Sequence, residues 1–277
     1  MKLVKYGAVA ALSTALLASG VAGFTDVKAA EKQDGSEEGY ERTYSSDSNV
    51  NFIPSSGPTK PIDPTDPTNP NPETPVPPKP GTEGPLSIDY ASDFEFGTQE
   101  ITTETKTYFA KPQLYQDSEK LTPTYVQVTD KRGSNAGWSL NLKQDDQFKS
   151  DGTQNEYIEG AELHFLQGEA VTNGKGTTPA THEAKLDATG GSYSKIMTAK
   201  EAEGSGTWAS MFGGAEGLVD KEVINEDGEV VTEKRDSGVT LTIPGDSQTD
   251  ATEYKTTLTW QLTNEPGNGE GNELEGQ

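Results

Sequence analysis

Few side chains in this 277-residue sequence are equipped for catalysis, and none of them is a thiol. The absence of Cys removes disulfides, thiolate metal sites, a cysteine nucleophile and a lipidated N-terminus together. Two His remain. His164 alternates within Leu163-His164-Phe165-Leu166, the pattern of a strand, while His182 sits in a stretch containing Thr and Pro, and neither is near a nucleophile motif. Ser192-Tyr193-Ser194-Lys195 matches Ser-x-x-Lys, but the companion motifs of that acylation chemistry are missing. Asp145-Asp146, and Asp246 with Asp250, could offer oxygens to a hard cation, yet no stretch has the ligand spacing of a calcium loop. The sequence therefore predicts no catalytic residue, no metal site and no cofactor, although counting carboxylates leaves a glycosidase-type acid pair open.

The tryptophans are the other residues with chemistry to offer. Trp138 and Trp260 each head a Trp-x-Leu tripeptide, with Leu140 and Leu262, inside alternating runs. Alternation is what a core strand residue shows. An indole also supplies flat apolar area for stacking on a sugar ring, so core and binding readings both stand. Trp208 lies among glycines in Gly204-Ser205-Gly206-Thr207-Trp208-Ala209-Ser210-Met211-Phe212-Gly213-Gly214, off any strand pattern. That context reads as a loop plug over an open end of the body, or as a surface recognition patch of Trp208, Met211 and Phe212.

The elements that must position these residues are short strands. Leu86, Ile88 and Tyr90 alternate with Ser87 and Asp89; Trp138, Leu140 and Leu142 alternate with Ser139 and Asn141; Val239, Leu241 and Ile243 repeat the pattern. Tyr254, Thr256, Leu258, Trp260 and Leu262 share one face. Asp227-Gly228, between Ile224 and Val230, supplies the positive φ of a hairpin turn. No stretch keeps a 3.6 period, though Lys195 to Ala202 could form a short helix. Brief strands at this spacing predict an all-β fold, an antiparallel β-sandwich of Ig-like general architecture over residues 86–266. Apolar residues make up 30% and, even counting the 30 Gly, fall short of the roughly 45–50% of globular chains, so part of the chain should not pack.

That part precedes the body. Lys2 and Lys5 followed by an apolar run to Phe24, and small or β-branched residues around Ala29 and Ala30, read as a secretory signal over 1–30. Residues 31–53 are polar, except that Asn49-Val50-Asn51-Phe52-Ile53 is β-prone and could add a strand to the body. Twelve of the 17 prolines fall between Pro54 and Pro85, five of them at every third position from Pro58 to Pro70. Proline fixes φ and lacks the amide donor, so 54–85 reads as a polyproline II linker, a semi-rigid stalk after a disordered stretch. Residues 267–277 form an acidic, Gly-rich tail. The net charge is −23, and removing a signal that carries Lys2, Lys5, Lys28 and Asp26 takes it to −25. Nucleic acid is excluded as a partner, because neutralising phosphates needs a basic surface.

With the Pro-rich stretch, Leu86-Ser87-Ile88-Asp89-Tyr90, Phe94-Glu95-Phe96-Gly97, Gly206-Thr207-Trp208 and the two Trp-x-Leu contexts, Thr129 to Leu140 and Tyr254 to Pro266, the chain resembles a small WxL-domain surface protein of low-GC Gram-positive bacteria. The resemblance implies a secreted, non-enzymatic protein held non-covalently on the cell wall. It implies contact with peptidoglycan and with membrane-anchored WxL-interacting surface proteins, and adhesion to host matrix proteins is the alternative role. A wall hydrolase is a third reading. The tail beyond Pro266 departs from the family, whose members often stop just after the second motif.

Overall fold

The computed structural model describes residues 42–225 and 227–266. The expected signal and the acidic tail lie outside the described residues. The chain divides into two units, 1–50 and 51–277. Of the first, residues 42–50 have no regular secondary structure and are exposed. The second is all-β, with sixteen strands and no helix among the described residues.

In chain order the strands are β1 Pro75–Val76, β2 Leu86–Ala91, β3 Lys106–Ala110, β4 Gln113–Tyr115, β5 Leu121–Thr122, β6 Tyr125–Asp130, β7 Trp138–Gln144 and β8 Glu162–Phe165. They continue as β9 Glu169–Thr172, β10 Ala180–Thr181, β11 Ala184–Lys185, β12 Ser194–Ala199, β13 Gly206–Met211, β14 Leu218–Ile224, β15 Val230–Ile243 and β16 Leu258–Thr263. All pairings are antiparallel and fall in four sheets: β2-β6-β13-β9, β10-β12-β7-β16, β11-β8-β15-β14 with β3 also on β15, and β1-β4-β5. The three larger sheets share one core, to which they contribute Val128 and Trp208, Trp138 and Leu140, and Phe165 and Leu241. Phe165 packs edge-on against both Phe94 and Phe212, at 4.9 and 5.1 Å between ring centres. The hairpin expected at Asp227-Gly228 is present, with Ile224 paired to Val230 and Gly228 at φ +79°.

Three expectations are corrected. Lys195 to Ala202 does not open a helix: Ser194–Ala199 is β12, hydrogen-bonded to β7 on one side and β10 on the other, and that pairing buries Ile196 and Met197. The β-prone residues 49–53 form no strand and are exposed. The Pro-rich stretch is not a free stalk over its whole length. It is tied to the body at Ile62, 6% exposed, and at Asp63, and again where β1 pairs with β4.

The reason lies in β6, all six residues of which are buried. Val126 and Val128 face the shared core, while Tyr125 faces a second cluster with Ile62, Tyr90, Ala209 and Met211. On that outer side the inward side chains are largely polar, and they bond to the proline segment. Gln127 accepts from the Ile62 amide at 2.7 Å and donates to the Lys60 carbonyl at 3.1 Å. Gln113 donates to the Val76 carbonyl at 2.8 Å and accepts from Tyr90 and Ser92. A proline-rich backbone is short of donors and long on acceptors, so amide side chains from the body complete it. Asp89 takes bonds from Ser87, Gln127 and Thr129, and its burial still holds its carboxyl above the ordinary carboxylate range. Asp63 pairs with Lys120; burial works against its charge, but the bonds from Lys120 and Thr65 keep its carboxyl below that range.

Asp236 is a second internal clamp. It is fully buried and accepts from the Thr124 amide and hydroxyl, each at 2.6 Å, and from the Gly238 amide at 2.8 Å. Burial outweighs these bonds and pushes its pKa up to about 6. Because the folded value lies above the unfolded one near 3.9, this carboxyl favours the fold fully below pH 4 and loses that contribution as pH rises through 6. A shift of about two units corresponds to roughly 3 kcal/mol. Urea unfolding of wild type and Asp236→Asn at pH 4 and pH 7 should show a difference in stability between the two pH values that is smaller in the variant by up to about 3 kcal/mol in the direction of lost high-pH destabilisation. Identical pH profiles would show that Asp236 does not titrate in this interval.

Candidate binding cleft

The two Trp-x-Leu tripeptides sit on neighbouring strands. Leu140 of β7 is directly opposite Leu262 of β16, and Leu142 is opposite Trp260. Their environments differ because β7 is interior to its sheet and β16 is its last strand. Trp138 is fully buried and its indole N–H donates to the Gly204 carbonyl at 3.0 Å. Gly204 has φ +69°, and a Cβ there would lie 2.7 Å from the Trp138 indole nitrogen, so both conformation and space require glycine. Trp260 is partly buried: it packs on the core and also lines a cleft of about 1680 Å³.

This cleft gathers residues far apart in sequence. Tyr108, Phe148, Tyr254 and Trp260 give it aromatic surface, and Leu258 and Ile243 add aliphatic surface. Eight Asp or Glu and four Lys or Arg line it. Tyr254 is held by two bonds: its hydroxyl donates to the Asn155 carbonyl at 2.6 Å and accepts from the Asp250 amide at 2.9 Å. Asp250 accepts from the Asn155 backbone and side-chain amides, which keep its carboxyl below the ordinary range. Arg235, 5% exposed, pairs with the more exposed Glu233 at 3.0 Å. Gly97, at φ +75°, adopts a backbone conformation that favours glycine beside Arg235. The cleft thus offers flat apolar walls with charged groups between them, an arrangement suited to stacking and hydrogen bonding.

Of the three tryptophans only Trp260 faces this cleft, together with Tyr254, Thr256 and Leu258 of the same alternating run and with Asp250. Trp138, Leu140 and Trp208 are core residues, and Leu262 packs against the core. Trp208 and Met211 lie on β13 rather than in a loop, and with Phe212 they are at most 2% exposed, so none offers a ring or thioether to a surface ligand. The glycines around them mark close approaches instead: a Cβ at Gly238 would meet the Phe212 carbonyl at 2.4 Å. His164 pairs with Glu183 at 2.6 Å, while His182 bonds to Thr198 and burial pushes its pKa down. Asp145 is engaged by Lys143 and Thr259, and among the described residues no group of three or more His, Asp or Glu converges as metal ligands would. Tyr108, Phe148 and Arg235 escaped the sequence reading, since their convergence depends on sheet pairing and no local spacing marks it.

The contrast between the tryptophans is measurable. Trp138→Ala should cost about 3–5 kcal/mol, the range for a fully buried large aromatic, whereas Trp260→Ala leaves a space open to the cleft and should cost less than half as much. Thermal melting of both variants tests this. Equal losses would place Trp260 in the sealed core.

A family model for the WxL domain, described as surface cell wall-binding, matches residues 39–266. The match takes in the proline segment as well as the strands. Comparison with curated proteins and with solved structures returned no match. The pairing of the two Trp-x-Leu tripeptides on adjacent strands and a match over most of the sequence lead to one conclusion: the chain belongs to the WxL family of surface, cell wall-binding domains.

Proposed function

We propose that this domain holds a non-catalytic protein on the cell wall without a covalent link, and that the cleft beside β16 is the face that engages peptidoglycan. One observation carries this reading: Trp260, from the tripeptide that gives the family its name, is the tryptophan that combines core packing with an open cleft wall. Further aromatic residues, Tyr108 and Phe148 among them, and the hydroxyl of Tyr254 suit a saccharide backbone, which presents both apolar ring faces and hydroxyls. The residues around the body fit the same picture: a cleaved secretion signal over 1–30, a polar stretch to 53, the proline segment over 54–85, the binding domain over 86–266 and an acidic tail. Three sheets around one core are here read as a sandwich-type architecture. Membrane-anchored WxL-interacting proteins are further partners of the same surface protein, and adhesion to host matrix proteins is a second role compatible with display on the wall.

Electrostatics defines the type of binding. A chain of net charge −23, with eight acidic against four basic groups in its cleft, gains no long-range attraction toward a wall rich in anionic polymers. Retention must come from short-range stacking and hydrogen bonds. Sedimentation with purified peptidoglycan should therefore stay constant or rise as monovalent salt increases, because salt screens the repulsion. Trp260→Phe, which keeps apolar packing and reduces stacking area, should weaken binding by about tenfold, corresponding to roughly 1.4 kcal/mol. A steep loss of binding with salt, or unchanged binding by Trp260→Phe, would refute this site. Binding to immobilised matrix proteins but not to wall would assign the adhesin role.

A further inference from the structure

Two features of the molecule are unmatched among the described residues, and they are complementary. The first is the outer edge of β16. Lys255 exchanges both backbone bonds with Lys149, at 2.8 and 2.9 Å, and the Thr257 carbonyl accepts from the Asp145 amide at 2.9 Å. Backbone groups alternate sides along an antiparallel strand, so the amides and carbonyls of Leu258, Trp260 and Leu262 point away from β7. Among the described residues no hydrogen bond reaches that edge. Thr256, Thr257, Leu258 and Trp260 line the cleft, so this open row of donors and acceptors adjoins apolar surface.

The second feature is the stretch Asn49-Val50-Asn51-Phe52-Ile53. It alternates as a strand does, carries no charge, and exposes Val50, Phe52 and Ile53 by 74, 85 and 81%. Five residues in extended form reach about 17 Å, the length of Leu258 to Leu262. Pro54 follows, and a proline ends pairing cleanly.

We propose that Asn49–Ile53 of one copy adds as a strand to the outer edge of β16 in a second copy. Main-chain bonds to Leu258, Trp260 and Leu262 supply the attachment, and Val50 and Phe52 settle against the apolar wall of the cleft. An uncharged strand enters a cleft with excess carboxylates without like-charge repulsion, and Asn49–Ile53 is exposed and unpaired, whereas the uncharged runs 121–129, 204–215 and 237–245 are built into sheets of the body. The contact is heterologous, with donor and acceptor on different surfaces, so it links copies head to tail into chains. A five-residue strand buries little area, so the contact is weak between free molecules and is strengthened by crowding on a shared surface.

Sedimentation velocity of the chain lacking residues 1–30 tests this. Wild type should form oligomers of increasing size from micromolar to millimolar concentration, more of them at higher monovalent salt as repulsion between the acidic copies is screened. Phe52→Asp and Val50→Asp should abolish association with unchanged melting curves, because both side chains are exposed. A synthetic peptide spanning residues 47–54 should compete with it. The chain has no Cys, so Asn51→Cys mixed with Gln261→Cys should yield a disulfide-linked pair under mild oxidation. A monodisperse wild type at all concentrations, or Phe52→Asp associating as wild type does, would overturn the proposal. A dilute Asn51→Cys/Gln261→Cys double variant that closes only within single molecules would overturn the second copy as occupant. Strand and saccharide would share the wall beside Trp260, so the peptidoglycan reading is tested separately by wall sedimentation at concentrations where wild type is monomeric, and its failure there leaves the association result standing.

Discussion

Burial of β6 on both faces is the constraint from which most of the architecture follows. A strand covered on one side by an apolar core can leave its other side to water, and then polar residues there need nothing further. Here Tyr125, Gln127 and Thr129 face a second layer made by the proline segment, so each polar atom must find a partner inside the protein. The carbonyls of Lys60 and Val76, on a backbone short of donors, are what Gln127 and Gln113 bond to. Segment and sheet are thus mutually completing: neither would be satisfied alone. Thr124, immediately before β6, is bound in turn by the buried carboxyl of Asp236, which ties this sheet to β15 and to the wall of the cleft at Arg235.

The duplicated tripeptide shows how position in a sheet converts one sequence pattern into two roles. Leu140 and Leu262 face each other across β7 and β16, so the two tripeptides meet as cross-strand neighbours. On β7, with strands on both sides, alternation buries Trp138, Leu140, Leu142 and Gln144 completely. On β16, with one neighbour, the same alternation leaves Leu258, Trp260 and Leu262 only partly covered. The edge position, rather than the residue type, gives Trp260 its access to the cleft.

Period-two alternation made the strands around Trp138, Val239 and Trp260 legible in the sequence, as Asp227-Gly228 did for the β14–β15 hairpin. Alternation misled at β2: Ser87 and Asp89 look like the solvent face of Leu86, Ile88 and Tyr90, but the proline segment covers that side and buries both. Composition described the backbone of 54–85 correctly as poor in amide donors, and was silent on where its carbonyls would bond. Trp208 was misplaced because Gly204 and Gly206 look like loop glycines, whereas they flank the start of β13. Of the cleft only one strip, Tyr254, Thr256, Leu258 and Trp260, was legible as a shared face; Tyr108, Phe148 and Arg235 lie far apart in sequence, and only the pairing of β3, β15 and β16 with their neighbours gathers them.

Strand edges are a hazard for an all-β protein, and charge is the usual protection. Forty-five acidic residues serve that purpose here, keeping copies apart at long range. The protection is uneven. Along β14 the exposed face carries Asp220 and Glu222, whereas the outer edge of β16 presents Leu258, Trp260 and Leu262 beside an apolar cleft wall. General acidity suppresses unspecific pairing, and an apolar edge such as that of β16 then discriminates by favouring an incoming strand that is both extended and uncharged. In this chain that specification is met by the short stretch before the first proline of the segment that covers β6.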